Sequence, residues 1–160
     1  SAASDVYKRQ AVLMVGACAG DDTMVSGEGT TTTRPSSAAA VTAGSPEDFL
    51  VNVGDRVFYG FDRYDLTAAA RATLDRQAEW LKRYPNRRVV VEGHADERGT
   101  REYNIALGER RANAAKNYLV ARGISASRVT TISYGKEQPA VLGANEAAWA
   151  QNRRSVTVVN

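Results

Sequence analysis

Within "VVVEGHADERGTREYN", Val89 to Asn104, seven ionisable side chains crowd together: Glu92, His94, Asp96, Glu97, Arg98, Arg101 and Glu102. They begin where a run of three valines, Val89–Val91, ends. His94, Asp96 and Glu97 have the residue types of a metal or acid–base site. That chemistry needs more than they offer. His94 is the only histidine and Cys18, far away in the chain, the only cysteine. A catalytic zinc usually takes at least two His or Cys ligands. No serine stands in a nucleophile-elbow pattern either. The residues therefore point away from an enzyme, a metal or a cofactor. They leave either a wet loop or a site that holds something charged, with His94 as a hydrogen-bonding structural residue at a strand end.

The elements around these charges explain how they would be placed. A valine-rich strand, a glycine-containing loop and a helix form a βα unit, whose strand ends and first helical turn border a crevice where ligands commonly sit. Thr100 suits the N-cap of that helix, and Gly93 and Gly99 let the backbone turn or come close to a ligand. Further along, Leu107, Arg111, Ala115 and Tyr118 recur at i, i+4, i+8 and i+11. Arg111 therefore points along the apolar side of its helix, where an unpaired guanidinium is costly. It needs an anion, either a ligand carboxylate held by two parallel hydrogen bonds or a salt bridge to Asp96 or Asp62. If Asp96 faces Arg111 across a gap, the pair can hold an ammonium and a carboxylate at once, as an amino-acid head group carries them. Asp62, at the end of the first strand, either lines the same rim or merely leads the chain into a helix.

The spacing of apolar residues supplies the remaining elements. Strands are expected over 56–61, 87–94, 128–135 and 154–160. Helices are expected over 65–84, with the stripe Ala70, Leu74, Ala78 and Leu81, and over 101–122, ended by Gly123. Asp65 or Thr67 would cap the first helix. Residues 136–152 read as a loop with one helical turn. The unbroken valines of the second strand suggest cover on both faces. The order β-α-β-α-β-β is that of an α+β domain, one mixed sheet with two main helices packed on it.

The N-terminal part has another composition. Residues 19–48 are rich in Gly, Ser, Thr and Ala and poor in large apolar side chains. Such a segment cannot offset its ordering entropy and reads as a disordered tether. Its thirty residues would reach about 100 Å fully extended and average about 30 Å as a coil. Before it, Ala11–Gly20 has the shape of a short signal-peptide core, and "LMVGAC" ends in small residues and Cys18. This resembles a bacterial lipobox, in which the cysteine is acylated, and two or more acyl chains hold a protein stably on a membrane. Residues 1–10, "SAASDVYKRQ", do not suit a signal start, and "DVYKRQ" looks like a translated sequencing adapter. They are expected to be artefactual.

The segment "EGHADERGTREYNIALGERRANAAKNYL", with "FDRYDL", "ISYGKE" and "AWAQNRRSVTVV", resembles the outer-membrane-protein-A-like (OmpA-like) peptidoglycan-binding domain family. The resemblance covers about residues 56–159, a domain over 49–160. It is strongest to the lipoproteins of the Tol–Pal envelope system. It implies non-covalent binding of the diaminopimelate stem peptide of peptidoglycan, with Asp96 on the α-amino group and Arg111 on the α-carboxylate. Supporting contacts would come from Phe61, Asp62, Arg98, Thr100 and Leu107. It also implies an outer-membrane lipoprotein facing the periplasm, a role in envelope integrity and cell division, and a periplasmic Tol β-propeller protein as a competing partner. Gly60 stands where the family more often has an acidic residue.

Two other readings stay open on the sequence. One is a wall-anchoring protein of the same family outside the Tol system. The other is an anionic-polymer binder, suggested by Arg87–Arg88, Arg110–Arg111 and Arg153–Arg154 and by a net charge of +3. Those pairs lie on separate elements among acids and read as solvated faces. Nucleic acid is therefore not an expected partner.

Overall fold

The computed structural model describes residues 41–160. The lipobox cysteine Cys18, residues 1–18 as a whole and the tether as far as residue 40 lie outside the described residues.

The chain forms helix α1 (Pro46–Asp48), a π-helical turn (Phe49–Val53), strand β1 (Arg56–Phe58), helix α2 (Ala68–Arg83), strand β2 (Val89–His94), helix α3 (Arg101–Ala121), a 3-10 turn (Ala126–Arg128), strand β3 (Val129–Gly135), helix α4 (Glu146–Asn152) and strand β4 (Arg154–Val159). The strands make one mixed sheet in the order β1-β4-β2-β3. β4 runs antiparallel to both β1 and β2, while β2 and β3 are parallel. The two parallel strands are joined through α3, as a parallel pair requires a crossover.

Local chemistry sets the ends of these elements. Thr67, and not Asp65, caps α2 by accepting from the Ala70 amide, while Asp65 pairs with Arg63 instead. Thr100 caps α3 by accepting from the Tyr103 amide, and Gly123 turns the chain out of it at φ 98°. The expected stripe Ala70, Leu74, Ala78 and Leu81 is fully buried against Val57, Val89, Val91, Ala112, Ala115 and Leu119.

Three expectations need correction. First, β2 is not covered on both faces. Val89 and Val91 are buried under the helices, but Val90 and Glu92 on the opposite face are only half-buried, and their cross-strand neighbours Val158 and Ile132 are exposed. Both long helices lie on one face, and strands mixing parallel and antiparallel partners do not require a second layer. Second, residues 43–48, assigned to the tether, form a turn and α1. Asp48 accepts from the Trp80 indole at 2.8 Å, and Arg87 donates to the Gly44 carbonyl at 2.9 Å. Side-chain bonds to α2 and to the loop before β2 offset the ordering entropy that composition alone leaves uncompensated. Third, residues 146–152 form a full helix, capped by Asn145 accepting from the Ala148 amide.

Candidate functional site

The segment from Ala95 to Thr100 leaves the end of β2 and feeds α3, whose first turns run beside it. The helix can come this close only because glycines meet there. A Cβ on Gly93 would lie 1.8 Å from the Gly108 carbonyl oxygen, and one on Gly108 would lie 2.3 Å from the Ser133 hydroxyl. One turn beyond Gly108, Arg111 is carried in under the end of β2 and is fully buried.

Arg111 forms neither of the salt bridges anticipated for it. Its Nε donates to the Arg63 carbonyl at 2.8 Å, Nη1 to the His94 carbonyl at 2.8 Å, and Nη2 to the Gly60 carbonyl at 3.2 Å. Tyr59 lies beneath it, with the guanidinium 5.2 Å from the ring centroid. A guanidinium has five N–H groups. Three are thus bound to carbonyls, and one on each terminal nitrogen has no partner among the described residues. Burial lowers the Arg111 pKa to about 10, so the group keeps its charge at neutral pH.

A cavity of about 200 Å³ opens over this guanidinium. Phe61, Asp62, Asp96, Arg98, Gly99, Tyr103, Asn104, Leu107 and Arg111 line it. Two of these carry negative charge, Asp62 and Asp96, and two carry positive charge, Arg98 and Arg111, so the lining is formally neutral and bipolar. The volume is below the roughly 300–1,000 Å³ of sites that engulf a drug-sized ligand. It suits one head group of something larger.

Asp96 is buried, yet it stays charged. Burial opposes the charge, but hydrogen bonds from the Arg98 side chain and amide outweigh it and hold the carboxyl below its ordinary pKa. Asp62 adopts the left-handed region at φ 55°, rare for a residue with a side chain, and its carboxylate accepts from the Tyr103 hydroxyl. That backbone turn brings Asp62 to the cavity wall, so it does more than lead into a helix.

The structure thus brings six of the seven expected site residues to one cavity: Phe61, Asp62, Asp96, Arg98, Leu107 and Arg111. Thr100 does not line it; its hydroxyl is used as the α3 cap. His94 is not the hydrogen-bonding residue anticipated. It is buried, neither ring nitrogen has a hydrogen-bond partner among the described residues, and the ring stacks on Tyr134 at 5.5 Å. Its contribution to the site is its backbone carbonyl.

The expected solvation of the arginine pairs holds for Arg88 and Arg110, which are exposed, and fails for three others. Arg111, Arg153 and Arg154 are all buried. Arg153 donates to the Tyr59 carbonyl at 3.0 Å and to Glu146 at 2.5 Å, and its Nη1 lies 3.5 Å from Asp96. It is a site residue that the sequence does not signal, since 57 positions separate it from Asp96 and no periodicity links them. Tyr103 and Asn104 had a signal: with Thr100, Leu107 and Arg111 they fall at helical spacing on one face of α3.

The chain is similar to several known proteins. The profile of the OmpA family matches residues 58–153. A protein of Rhizobium meliloti named peptidoglycan-associated lipoprotein is 58% identical over 122 residues, spanning 76% of this chain and 69% of its own. Its namesake in Agrobacterium fabrum is 57% identical, with the same coverage of 76% and 69%. Among solved structures, the peptidoglycan-associated lipoprotein of Burkholderia pseudomallei aligns with TM-score 0.68 and 38% identity over 72% of this chain and 100% of that one. The C-terminal domain of Helicobacter pylori MotB aligns with TM-score 0.62 at 17% identity over 66% of this chain and 84% of that one, a likeness of fold alone.

Proposed function

We propose a function from one premise: the chain belongs to the OmpA family. Its folded unit is a non-catalytic binding module for peptidoglycan, and the cavity between β2 and α3 takes the zwitterionic head group of diaminopimelate in the stem peptide. One observation carries this reading. A fully buried guanidinium with one free N–H on each terminal nitrogen shares a cavity of about 200 Å³ with two aspartates. A carboxylate is the ligand group that accepts two such donors in parallel. Asp96 and Asp62 supply the acceptors for an ammonium at the other pole. Phe61 and Leu107 bound the apolar part of the ligand, Arg98 sits at the mouth, and Thr100 fixes the helix that carries Leu107 and Arg111.

The names of the relatives support a lipoprotein; the reading takes Cys18, from its small-residue context in the sequence, as the acylated residue and the outer membrane as the place of attachment. On this reading the domain faces the periplasm and ties that membrane to the wall within the Tol–Pal system, with a part in envelope integrity and cell division. The periplasmic Tol β-propeller protein is its protein partner. An anionic-polymer function has less support, because three of the six arginines that suggested it, Arg111, Arg153 and Arg154, are buried.

Calorimetric titration with a diaminopimelate-containing muropeptide tests the assignment. Asp96→Asn and Arg111→Lys are expected to weaken binding by about 1.5–3 kcal/mol each, the range for losing charge-assisted hydrogen bonds. Lysine is the better replacement at 111, because alanine would strand three buried carbonyls. Equal affinity in both variants and the wild type would refute the assignment.

A further inference from the structure

Asp96 is already fully engaged before any ligand arrives. Its Oδ1 accepts from the Arg98 amide at 3.1 Å and from Arg98 Nε at 3.2 Å, and its Oδ2 from Arg98 Nη2 at 2.6 Å. Arg153 Nη1 stands 3.5 Å from the same Oδ2. A carboxylate offers about four lone-pair positions. Three are filled and the fourth is faced by a second guanidinium, so an incoming ammonium finds no vacant acceptor on Asp96.

The Arg98 guanidinium is also clamped in its plane. Its central carbon lies 4.1 Å from the Phe61 ring centroid and 4.0 Å from that of Trp149. Two rings this close cannot share one face of a planar group, so they flank it. Trp149, on α4, is held in turn by its Nε1 donating to Glu97 at 3.1 Å. The Arg98 side chain nonetheless stays 32% exposed, against 6% for the Asp96 side chain it binds.

We infer that Arg98 is a built-in counter-ion that closes the site, and that Trp149 sets its affinity by holding Arg98 in place. The closed state is the one described here. In the open state Arg98 swings out from between the two rings, Asp96 gains free lone pairs, and the ligand ammonium takes its place, while Arg153 keeps the carboxylate charged and oriented. The ligand must displace a cation of the protein's own, so its apparent affinity is reduced by the scarcity of the open state. This rests on the reading that the cavity takes an amino-acid head group. It adds Trp149, which reaches the cavity only through Arg98 and does not line it, as a residue that tunes affinity.

The test follows the Arg98 Nε–H resonance by NMR while the full chain is titrated with a diaminopimelate-containing muropeptide, with calorimetry alongside. In the free wild type the resonance is expected to be ring-shifted by its two aromatic neighbours, and to move to the position of a solvated arginine as the ligand saturates. Trp149→Ala should move the resonance part of the way towards the solvated position without ligand, since Phe61 and Asp96 still hold Arg98, and should bind about two- to fivefold tighter, the scale of one lost cation–π contact. Arg98→Lys should also bind tighter, because an ammonium on a flexible stem lacks the planar fork that both the carboxylate and the rings select. If Trp149→Ala does not fold, Arg98→Lys decides. A resonance that stays ring-shifted at saturation, or either folded variant binding no tighter than wild type, overturns the gate while leaving the functional reading standing. A wild type that does not bind the muropeptide removes that reading and the gate together.

Discussion

At the scale of single residues, the site depends on charges that the fold keeps ionised by unequal means. Asp96 is held charged by hydrogen bonds from Arg98, and Arg111, although burial lowers its pKa to about 10, by its own high intrinsic basicity with the Asp96 and Asp62 charges nearby. His94 is the converse. Burial, then the nearby Arg154 charge, lower its pKa to about 4, against an ordinary value of 6.5. The folded protein therefore keeps the imidazole neutral where the unfolded chain already takes up a proton. Stability from this group is fully present above about pH 6.5 and declines as the pH falls from there towards 4, at about 1.4 kcal/mol per pH unit. Half-buried Glu92, beside it, has its pKa raised by burial and acts in the opposite sense near its own range. Replacing His94 by Phe keeps a ring against Tyr134 and leaves Glu92 in both proteins. Between pH 7 and pH 5 the wild type should lose about 2 kcal/mol more than His94→Phe in urea unfolding. Equal losses would show that His94 is not buried neutral.

At the scale of elements, the site is made by how closely α3 lies on β2. Gly93 and Gly108 allow that approach, and the sheet end and helix then share Arg111 through the His94 carbonyl. An alanine at 93 would place its Cβ 1.8 Å from a backbone oxygen, which no rotamer change relieves. Gly93→Ala should cost about 3 kcal/mol in urea unfolding, as overpacking without room to relax does. It should also weaken muropeptide binding, because Arg111 moves with the helix. A loss under about 1 kcal/mol would contradict the contact. The element boundaries were legible wherever a local signal exists: Thr100 and Gly123 bracket α3, and the alanine–leucine stripe marks the buried face of α2. The valine run of β2 misled because a hydrophobic run reports burial potential and not how many layers cover it. Residues 43–48 were misplaced because their order comes from Trp80 and Arg87, far along the chain, and not from their own composition.

At the scale of the whole molecule, the same distinction holds for the site. Asp96 and Arg111 were legible because both lie in one βα unit, so their separation along the chain fixes their separation in space. Arg153 and Trp149 were not, since α4 and β4 return to the site only through the sheet order. The net charge of +3 hides the arrangement as well: the basic residues that produce it include three buried arginines, Arg111, Arg153 and Arg154. Beyond the folded unit, the proposed anchor makes its own prediction. In a native gene Cys18→Ser should move the protein from the outer-membrane fraction to the soluble periplasm, since acyl chains supply the stable membrane attachment. Fractionation that finds it still in the membrane would argue against lipid anchoring at that residue.

The most direct measurement is a crystal structure of the protein with a diaminopimelate-containing stem peptide. The account predicts a ligand carboxylate within about 3 Å of both terminal nitrogens of Arg111, and the ligand ammonium at hydrogen-bond distance from Asp96 with Arg98 turned away. A peptide bound elsewhere on the domain, or one whose head group leaves Arg111 untouched, would contradict it.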